Sequence, residues 1–129
     1  GPLGHSDADV LAHALCDAIL GACALGDLGR HFPDTDARWK GADSMRLLEA
    51  CRAMARERGY DVSNVDVTVV VQEPKLAPHI EAIRSRVAAV LQIDLAECSV
   101  KAKTSEGMGY TGDGTGIAAY AVATLFRSI

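Results

Sequence analysis

A nearly uninterrupted run of β-branched residues, NVDVTVVVQ at positions 64–72, constrains the fold most strongly. Such a run is typical of a buried strand, and Pro74 ends it. Helical patterns lie on both sides, from about Asp43 or Ser44 to Arg58 and over positions 77–93. CSVKAKTS, at positions 98–105, alternates well enough to be another strand. This β–α–β succession predicts one α/β (α+β) domain over residues 1–129, a sheet with helices packed on one face.

The N-terminal part, GPLGHSDADVLAHALCD, concentrates acidic residues and histidines in a short run. If the chain is helical from about Asp7, then Asp9, His13 and Asp17 fall on one face. The opposite, apolar face then carries Leu11, Leu15, Ile19 and Leu20. Two interpretations stay open at this point. The stripe suits a metal-binding imidazole supported by neighbouring carboxylates, and it equally suits an acidic first turn with a solvated histidine.

The remaining segments are richer in turn formers or ambiguous. Positions 25–43 are rich in Gly and Asp and are predicted to be a long loop, a kind that is usually functional or mobile. Gly59 is a natural stop for the preceding helix. The stretch IAAYAVATLF, at positions 117–126, fits a helix or a strand. As a strand it would place Ile117 and Ala119, with Ala121 and Ala123, on one side, an apolar surface that an isolated domain would leave wet.

Composition limits the classes of function. The chain is 49% hydrophobic but 5% aromatic, so Ala, Val, Leu and Ile must build its core, and burial against other subunits would help. A formal net charge of −4 argues against a nucleic-acid partner, and no run suits a membrane span or signal peptide. A polyphosphate ligand would therefore need metals and backbone N–H groups. Four cysteines without paired spacing indicate reduced thiols in a reducing compartment.

Three separated segments resemble one family along the whole chain. They are similar to the 2-C-methyl-D-erythritol 2,4-cyclodiphosphate synthase family. The segments are HSDADVLAHALCDAILGACALGDLG with FPDTD, then QEPKLAPHI, then VKAKTSEGMGYTG. The resemblance implies a homotrimeric phosphorus–oxygen lyase of non-mevalonate isoprenoid biosynthesis, with active sites between subunits. It implies cyclisation of 4-diphosphocytidyl-2-C-methyl-D-erythritol 2-phosphate with release of CMP. It also implies a cytoplasmic location, or a plastid-type organelle in a eukaryote.

The resemblance also implies which residues act. His13 resembles the ligand of a divalent transition metal such as zinc, and Glu106 that of a magnesium or manganese ion that bridges the diphosphate. His5 is similar to a transition-state stabiliser, and Thr104 to a hydroxyl that steadies the transferring phosphate. The implied substrate-binding residues are His5, Ser6, Asp27, Leu28, Gly29, Phe32, Pro33, Asp34, Thr35, Asp36, Val71, Gln72, Glu73, Pro74, Lys75, Leu76, Ala77, Lys103, Thr104, Ser105, Glu106 and Tyr110.

Several of these segments have simpler interpretations. The positions from Phe32 to Asp36 match a flap over the methylerythritol portion, but a solvated acidic loop would have the same composition. Val71–Ala77 matches the loop that receives the cytosine, but Pro74 alone would explain a strand-to-helix turn. Lys75 suits a phosphate contact or a solvated surface equally. Asp17 matches no family ligand, and its spacing suggests that it supports His13.

The sequence departs from the family pattern in two places. The family has an N-terminal strand whose Asp-x-His pair supplies two further transition-metal ligands, and this strand is not in this sequence. Gly1–Gly4 resembles either a cleavage scar or the residues before the motif. One imidazole holds a metal weakly, so the chain as given is expected to carry far less than one transition metal per subunit and little activity. Asp113 stands where the family usually has a basic residue, so an isoprenoid diphosphate should bind weakly in the central cavity.

Two other functions remain compatible with these residues. One is a catalytically inactive trimer or isoprenoid-diphosphate-binding module, which the missing Asp-x-His pair favours and the retained Thr104 and Glu106 disfavour. The other is a metal-dependent phosphohydrolase at the same site, which would need an open metal position to activate water. The reaction product, cyclic diphosphate or linear phosphate, separates the synthase from the phosphohydrolase.

Overall fold

The computed structural model describes the backbone of residues 2–33, 43–71, 77–104 and 117–128, and the side chains of residues 8–33, 44–71, 79–104 and 117–128. No helix within these ranges is long and apolar enough to cross a membrane. The elements in chain order are α1 (Pro2–Ala22), α2 (Leu28–His31), α3 (Asp43–Glu57), β1 (Tyr60–Val71), α4 (Ala77–Leu91), a 3-10 turn (Leu95–Glu97), β2 (Cys98–Thr104) and β3 (Ala118–Arg127).

The three described strands form one sheet in the order β2-β1-β3. β1 and β2 are parallel and are connected through α4, which confirms the predicted β–α–β unit. β3 lies on the other side of β1 and runs antiparallel to it. The ambiguous C-terminal stretch is therefore a strand, because its backbone completes a long ladder with β1 that no local pattern specifies.

The helices pack on one face of this sheet. Val65, Val67 and Val69 alternate along β1 and are fully buried, whereas Asp66 and Thr68 between them are half-buried on the opposite face. α1 packs against β3 and β1, α3 against β1, and α4 against β2. The predicted apolar face of α1 is confirmed, because Leu11, Leu15, Ile19 and Leu20 are completely buried. A mixed α/β domain is thus what the sequence predicted.

The bounds of several elements differ from the predictions. α1 begins at Pro2 rather than near Asp7, and β1 begins at Tyr60, four residues before the β-branched run. The added residues of β1 pair with the end of β3, where Tyr60 faces Arg127, so the partner strand extends β1 beyond its own β-branched composition. The predicted loop after α1 contains the short helix α2. The predicted stop at Gly59 is confirmed, since its φ is +88° and its N–H donates to the Arg56 carbonyl.

The apolar surface of β3 is not the one predicted. Ala119, Ala121 and Ala123 are half-buried and pack against the core under the helices. The alternate set faces away from the helices, with exposures of 57% for Tyr120 and 66% for Val122, and of 50% for Phe126. The expectation of an exposed alanine face was wrong, because α1 covers that face of β3, although Ile117, just before the strand, is exposed.

Candidate functional site

His13 lies at the middle of α1, and one nitrogen of its side chain lacks a hydrogen bond. Its Nε2 atom is buried and has no hydrogen-bond partner among the described residues. A buried polar nitrogen is costly when it is unpaired, so such an atom in a folded protein calls for a ligand or a bound water. The imidazole therefore fits the metal position that the family resemblance implied.

The remaining ligands of such a site are not found in the described part of the chain. No cluster of three or more His, Cys, Asp or Glu side chains suited to a metal occurs among the residues described. Glu106, the predicted ligand of the bridging ion, lies outside them. The described residues thus fit one ligand of a transition metal, and the other positions of a catalytic site must come from elsewhere.

Asp17, one turn beyond His13 on α1, accepts a hydrogen bond from a backbone group far away in sequence. Its Oδ1 accepts a hydrogen bond of 2.7 Å from the backbone N–H of Leu28. It makes no hydrogen bond to the unpaired Nε2 of His13. Support of His13 by Asp17, which would act through the other ring nitrogen, stays a prediction. No spacing rule connects positions 17 and 28, so only the tertiary structure reveals this contact.

The predicted substrate-lining turn, Asp27 to Gly29, is a defined helix start rather than an open loop. Asp27 is the N-cap of α2, and its Oδ1 accepts from the Arg30 N–H at 3.0 Å. The His31 ring donates through Nε2 to the Leu25 carbonyl at 2.6 Å, which fixes the tautomer of that imidazole. These bonds close the segment on itself, so its backbone presents a preformed surface.

Gly26 is required for the chain to enter this turn. Its φ is +90°, a conformation that L side chains rarely adopt. A Cβ atom added there would come within 3.0 Å of the Arg30 side chain. A larger residue would therefore strain the backbone immediately before Asp27.

Two predicted site segments begin beside each other at one edge of the sheet. Val71 ends β1 and pairs with Thr104 at the end of β2, because the two strands are parallel and in register. β3 starts at the same edge, where Ala118 pairs with Val70. The carboxyl ends of parallel strands are a common place for ligand sites in α/β proteins. The cytosine loop and the phosphate-steadying hydroxyl of the family resemblance would thus start from adjacent strands.

Lys103 and Thr104 lie on opposite faces of β2. Thr104 is half-buried and follows Val100 and Ala102 on the helix side, whereas Lys103 is exposed on the open face of the sheet. Successive side chains of a strand always alternate in this way. Lys101, on that open face, pairs with Asp66 at 3.0 Å. The two predicted residues therefore cannot contact one ligand group from the same side of the strand.

The structure describes the other predicted residues unevenly. Leu28 is buried at 6% exposure, Phe32 is half-buried against the core, and Pro33 is exposed. His5 and Ser6 lie in α1 and Ala77 begins α4, but their side chains are outside the described set. The predictions that fall outside the described residues altogether are Asp34, Thr35, Asp36, Gln72, Glu73, Pro74, Lys75, Leu76, Ser105, Glu106 and Tyr110, and Asp113 with them.

The four cysteines pack as part of the apolar core. All are free thiols and all are buried. A hydrogen bond with Cys51, together with burial, raises the pKa of the Cys16 thiol, and burial raises the pKa of Cys98. A raised thiol pKa leaves almost no thiolate, which is the nucleophilic form. The prediction that the helix cysteines behave as small apolar residues is confirmed by their packing.

Comparison with known proteins identifies the family. The model of the YgbB family matches residues 1–126. A 2-C-methyl-D-erythritol 2,4-cyclodiphosphate synthase of Xanthomonas axonopodis pv. citri is 58% identical over 98% of this chain and 76% of its own length. The synthase of Alkaliphilus oremlandii is 52% identical over 99% of this chain and 82% of its own length.

Solved structures agree with the sequence comparison. The bifunctional IspDF from Campylobacter jejuni superposes with a TM-score of 0.83 at 41% identity, over 93% of this chain and 32% of that longer chain. The CDP complex of IspF from Plasmodium falciparum gives a TM-score of 0.79 at 32% identity, over 93% of this chain and 72% of its own. The chain therefore belongs to the YgbB family, the 2-C-methyl-D-erythritol 2,4-cyclodiphosphate synthases, as its motifs predicted.

Proposed function

We propose that this chain catalyses cyclisation of 4-diphosphocytidyl-2-C-methyl-D-erythritol 2-phosphate. An oxygen of the 2-phosphate bonds to the β-phosphorus of the cytidine diphosphate arm. The bond from that phosphorus to the bridging oxygen breaks, and CMP leaves with the electron pair. The observation that carries this proposal is that, in a chain of this family, the buried Nε2 of His13 has no hydrogen-bond partner in the described part of the structure.

The reaction needs positioning and charge neutralisation more than it needs a base, because its nucleophile is already an anion. A net charge of −4 gives the chain no general attraction for such a substrate. Bound divalent ions would therefore supply most of the positive charge. We assign the Asp27–Gly29 turn to substrate binding, since the Asp27 cap and the His31 hydrogen bond hold it in one shape.

We assign His13 and Glu106 as ligands of a divalent transition metal and of magnesium or manganese. Such ions act as Lewis acids on phosphoryl oxygens and neutralise their charge. The buried imidazole nitrogen suits the softer ion, and a carboxylate oxygen is the donor that magnesium prefers. His5 and Thr104 are proposed to contact the transferring phosphate, with Thr104 donating its hydroxyl hydrogen to a phosphate oxygen.

We propose that the segment from Val71 to Ala77 receives the cytosine. The structures of IspF from Plasmodium falciparum and of another synthase of this name are described as complexes with CDP. In this chain the segment starts at the edge of the sheet where Val71 pairs with Thr104. A nucleotide there would have its diphosphate near the end of β2.

A direct assay separates this function from its rivals. The full-length protein is incubated with the substrate and both metals, and the reaction is monitored by phosphorus NMR. We expect the cyclic diphosphate and CMP in equal amounts. Linear phosphate as the product would indicate the phosphohydrolase instead. Binding without turnover would indicate the inactive isoprenoid-binding module.

The active protein is proposed to be a homotrimer with its sites between subunits. Tyr120, Val122 and Phe126 form an exposed row on the open face of the sheet, which suits burial against other copies. We expect light scattering at micromolar concentration to give three times the chain mass, and Val122→Lys to reduce it. Glu49→Lys, on an exposed position of α3, is the control. A monomeric parent protein would contradict the trimer.

Replacing Glu106 by Gln should lower turnover more than substrate affinity, because the amide is a weaker magnesium ligand than the carboxylate. The measurement is kcat against magnesium concentration in the full-length protein, with the variant needing more magnesium to reach its plateau. Equal turnover of variant and parent at limiting magnesium would contradict the assignment of Glu106 as a metal ligand.

The protein is proposed to work in the cytoplasm, or in a plastid-type organelle in a eukaryote. Its four buried cysteines are all free, which suits a reducing compartment. We expect no nucleic-acid or membrane partner, because the charge is acidic.

A further inference from the structure

One side-chain hydrogen bond joins the helix of His13 to the proposed substrate turn. Asp17 lies on α1, and its Oδ1 accepts from the Leu28 N–H at 2.7 Å across eleven residues of sequence. The Leu28 N–H is at the first residue of α2, where a helix leaves its amides without internal partners. Asp17 therefore satisfies an amide that the helix itself cannot satisfy.

The turn is also closed by bonds other than this one. Asp27 caps α2 through the Arg30 N–H, and His31 ties the end of α2 back to the Leu25 carbonyl. The Leu28 side chain is buried in the core. Because the segment is closed on itself, the Asp17 bond is not needed to shape it. It instead joins the segment to α1.

We propose that Asp17 is a positioning residue, which holds the Asp27–Gly29 turn at a set place relative to His13. This inference rests on the proposed function of that turn. Asp17 follows His13 by one helical turn, about 6 Å along the axis. A bond from Asp17 to the turn would thus set the spacing between the His13 imidazole and the turn. A misplacement of about 1 Å at a reacting centre can cost about 100-fold in rate.

The hydrogen bond needs an acceptor oxygen and not a negative charge. Asp17→Asn keeps an Oδ1 that can accept from Leu28, whereas Asp17→Ala removes it. Asp94→Ala is the matched control. Asp94 is an exposed aspartate that precedes the 3-10 turn, and its side chain makes no capping hydrogen bond. The control removes the same charge without removing such a bond.

The first measurement is amide hydrogen exchange at Leu28, without substrate. We expect exchange in Asp17→Ala to be at least about tenfold faster than in the parent, since a bond to a charged acceptor is lost. Asp17→Asn should stay close to the parent. The amides of Leu47 and Leu48 in α3 should exchange alike in all variants, which shows that the fold is intact.

The second measurement is steady-state kinetics of the full-length protein. Asp17→Ala should lose about 10- to 100-fold in kcat/KM, with both kcat and KM affected, while its transition-metal content is unchanged. Asp17→Asn should recover most of the loss, and Asp94→Ala should equal the parent. A purely structural role would alter thermal stability without producing this difference in kcat/KM between Asp17→Ala and Asp17→Asn.

Two results would overturn the proposal. One is Leu28 exchange in Asp17→Ala that equals the parent's, and the other is a loss in Asp17→Asn as large as in Asp17→Ala. If the full-length parent makes no cyclic diphosphate, the proposed function fails, while the Leu28 exchange still decides whether Asp17 fixes the turn.

Discussion

His13→Ala in the full-length protein should lower kcat by about 1,000-fold and remove the bound transition metal. The imidazole Nε2 is buried without a hydrogen-bond partner among the described residues, which suits a metal ligand. Losing one ligand of a catalytic ion removes several kcal/mol of charge stabilisation on the transferring phosphoryl group. The measurements are kcat under saturating substrate and metal content after dialysis.

His79→Ala is the control for the loss of an imidazole. His79 is exposed near the start of α4 and is not assigned to the site. Its variant should keep the parent's kcat and metal content. If His13→Ala retained stoichiometric transition metal and the parent's turnover, His13 would not be a metal ligand, and its unpaired nitrogen would bind only water.

Thr104→Ala should lower kcat by about 100- to 1,000-fold with a smaller change in KM. Thr104 ends β2 beside Val71, where the two predicted ligand segments leave the sheet. A hydroxyl aimed at an oxygen where charge develops stabilises the transition state more than the bound substrate. Removing it therefore affects turnover more than binding.

Thr104→Ser should restore most of this turnover, because it keeps the hydroxyl and loses only a methyl group. Thr124→Ala provides the matched control, since Thr124 is exposed on β3 and opposite Asn64. An equal decrease of kcat in Thr104→Ser and Thr104→Ala would indicate a packing role for the methyl group. A change confined to KM would indicate uniform binding of substrate and transition state instead.

Local patterns were sufficient where a residue's neighbours in sequence are also its neighbours in space. The face shared by Leu11, Leu15 and Ile19 follows from helical periodicity, and all three are fully buried. The stop at Gly59 follows from its freedom to adopt positive φ. The family motif around His13 lies within one helix, so the sequence alone singled out that imidazole.

Local patterns failed where a distant partner decides the outcome. The stretch after Ile117 fitted a helix or a strand until its pairing with β1 selected the strand. The sequence predicted the alanine side of this strand as exposed, whereas the structure exposes Tyr120 and Val122. Which side α1 covers depends on packing. The short helix α2 was read as loop because its start is satisfied by Asp27 and by a contact from another helix.

By itself, the sequence determined the α/β class, the buried face of α1 and the family, because periodicity and contiguous motifs are local properties of the chain. Only the tertiary structure decided the partner of Asp17, since its hydrogen bond to Leu28 joins residues that no helical or strand period relates. It also decided that Lys103 and Thr104 face opposite sides of β2 and that Thr104 lies beside Val71. Strand register is a property of two segments together, and neither segment encodes it alone.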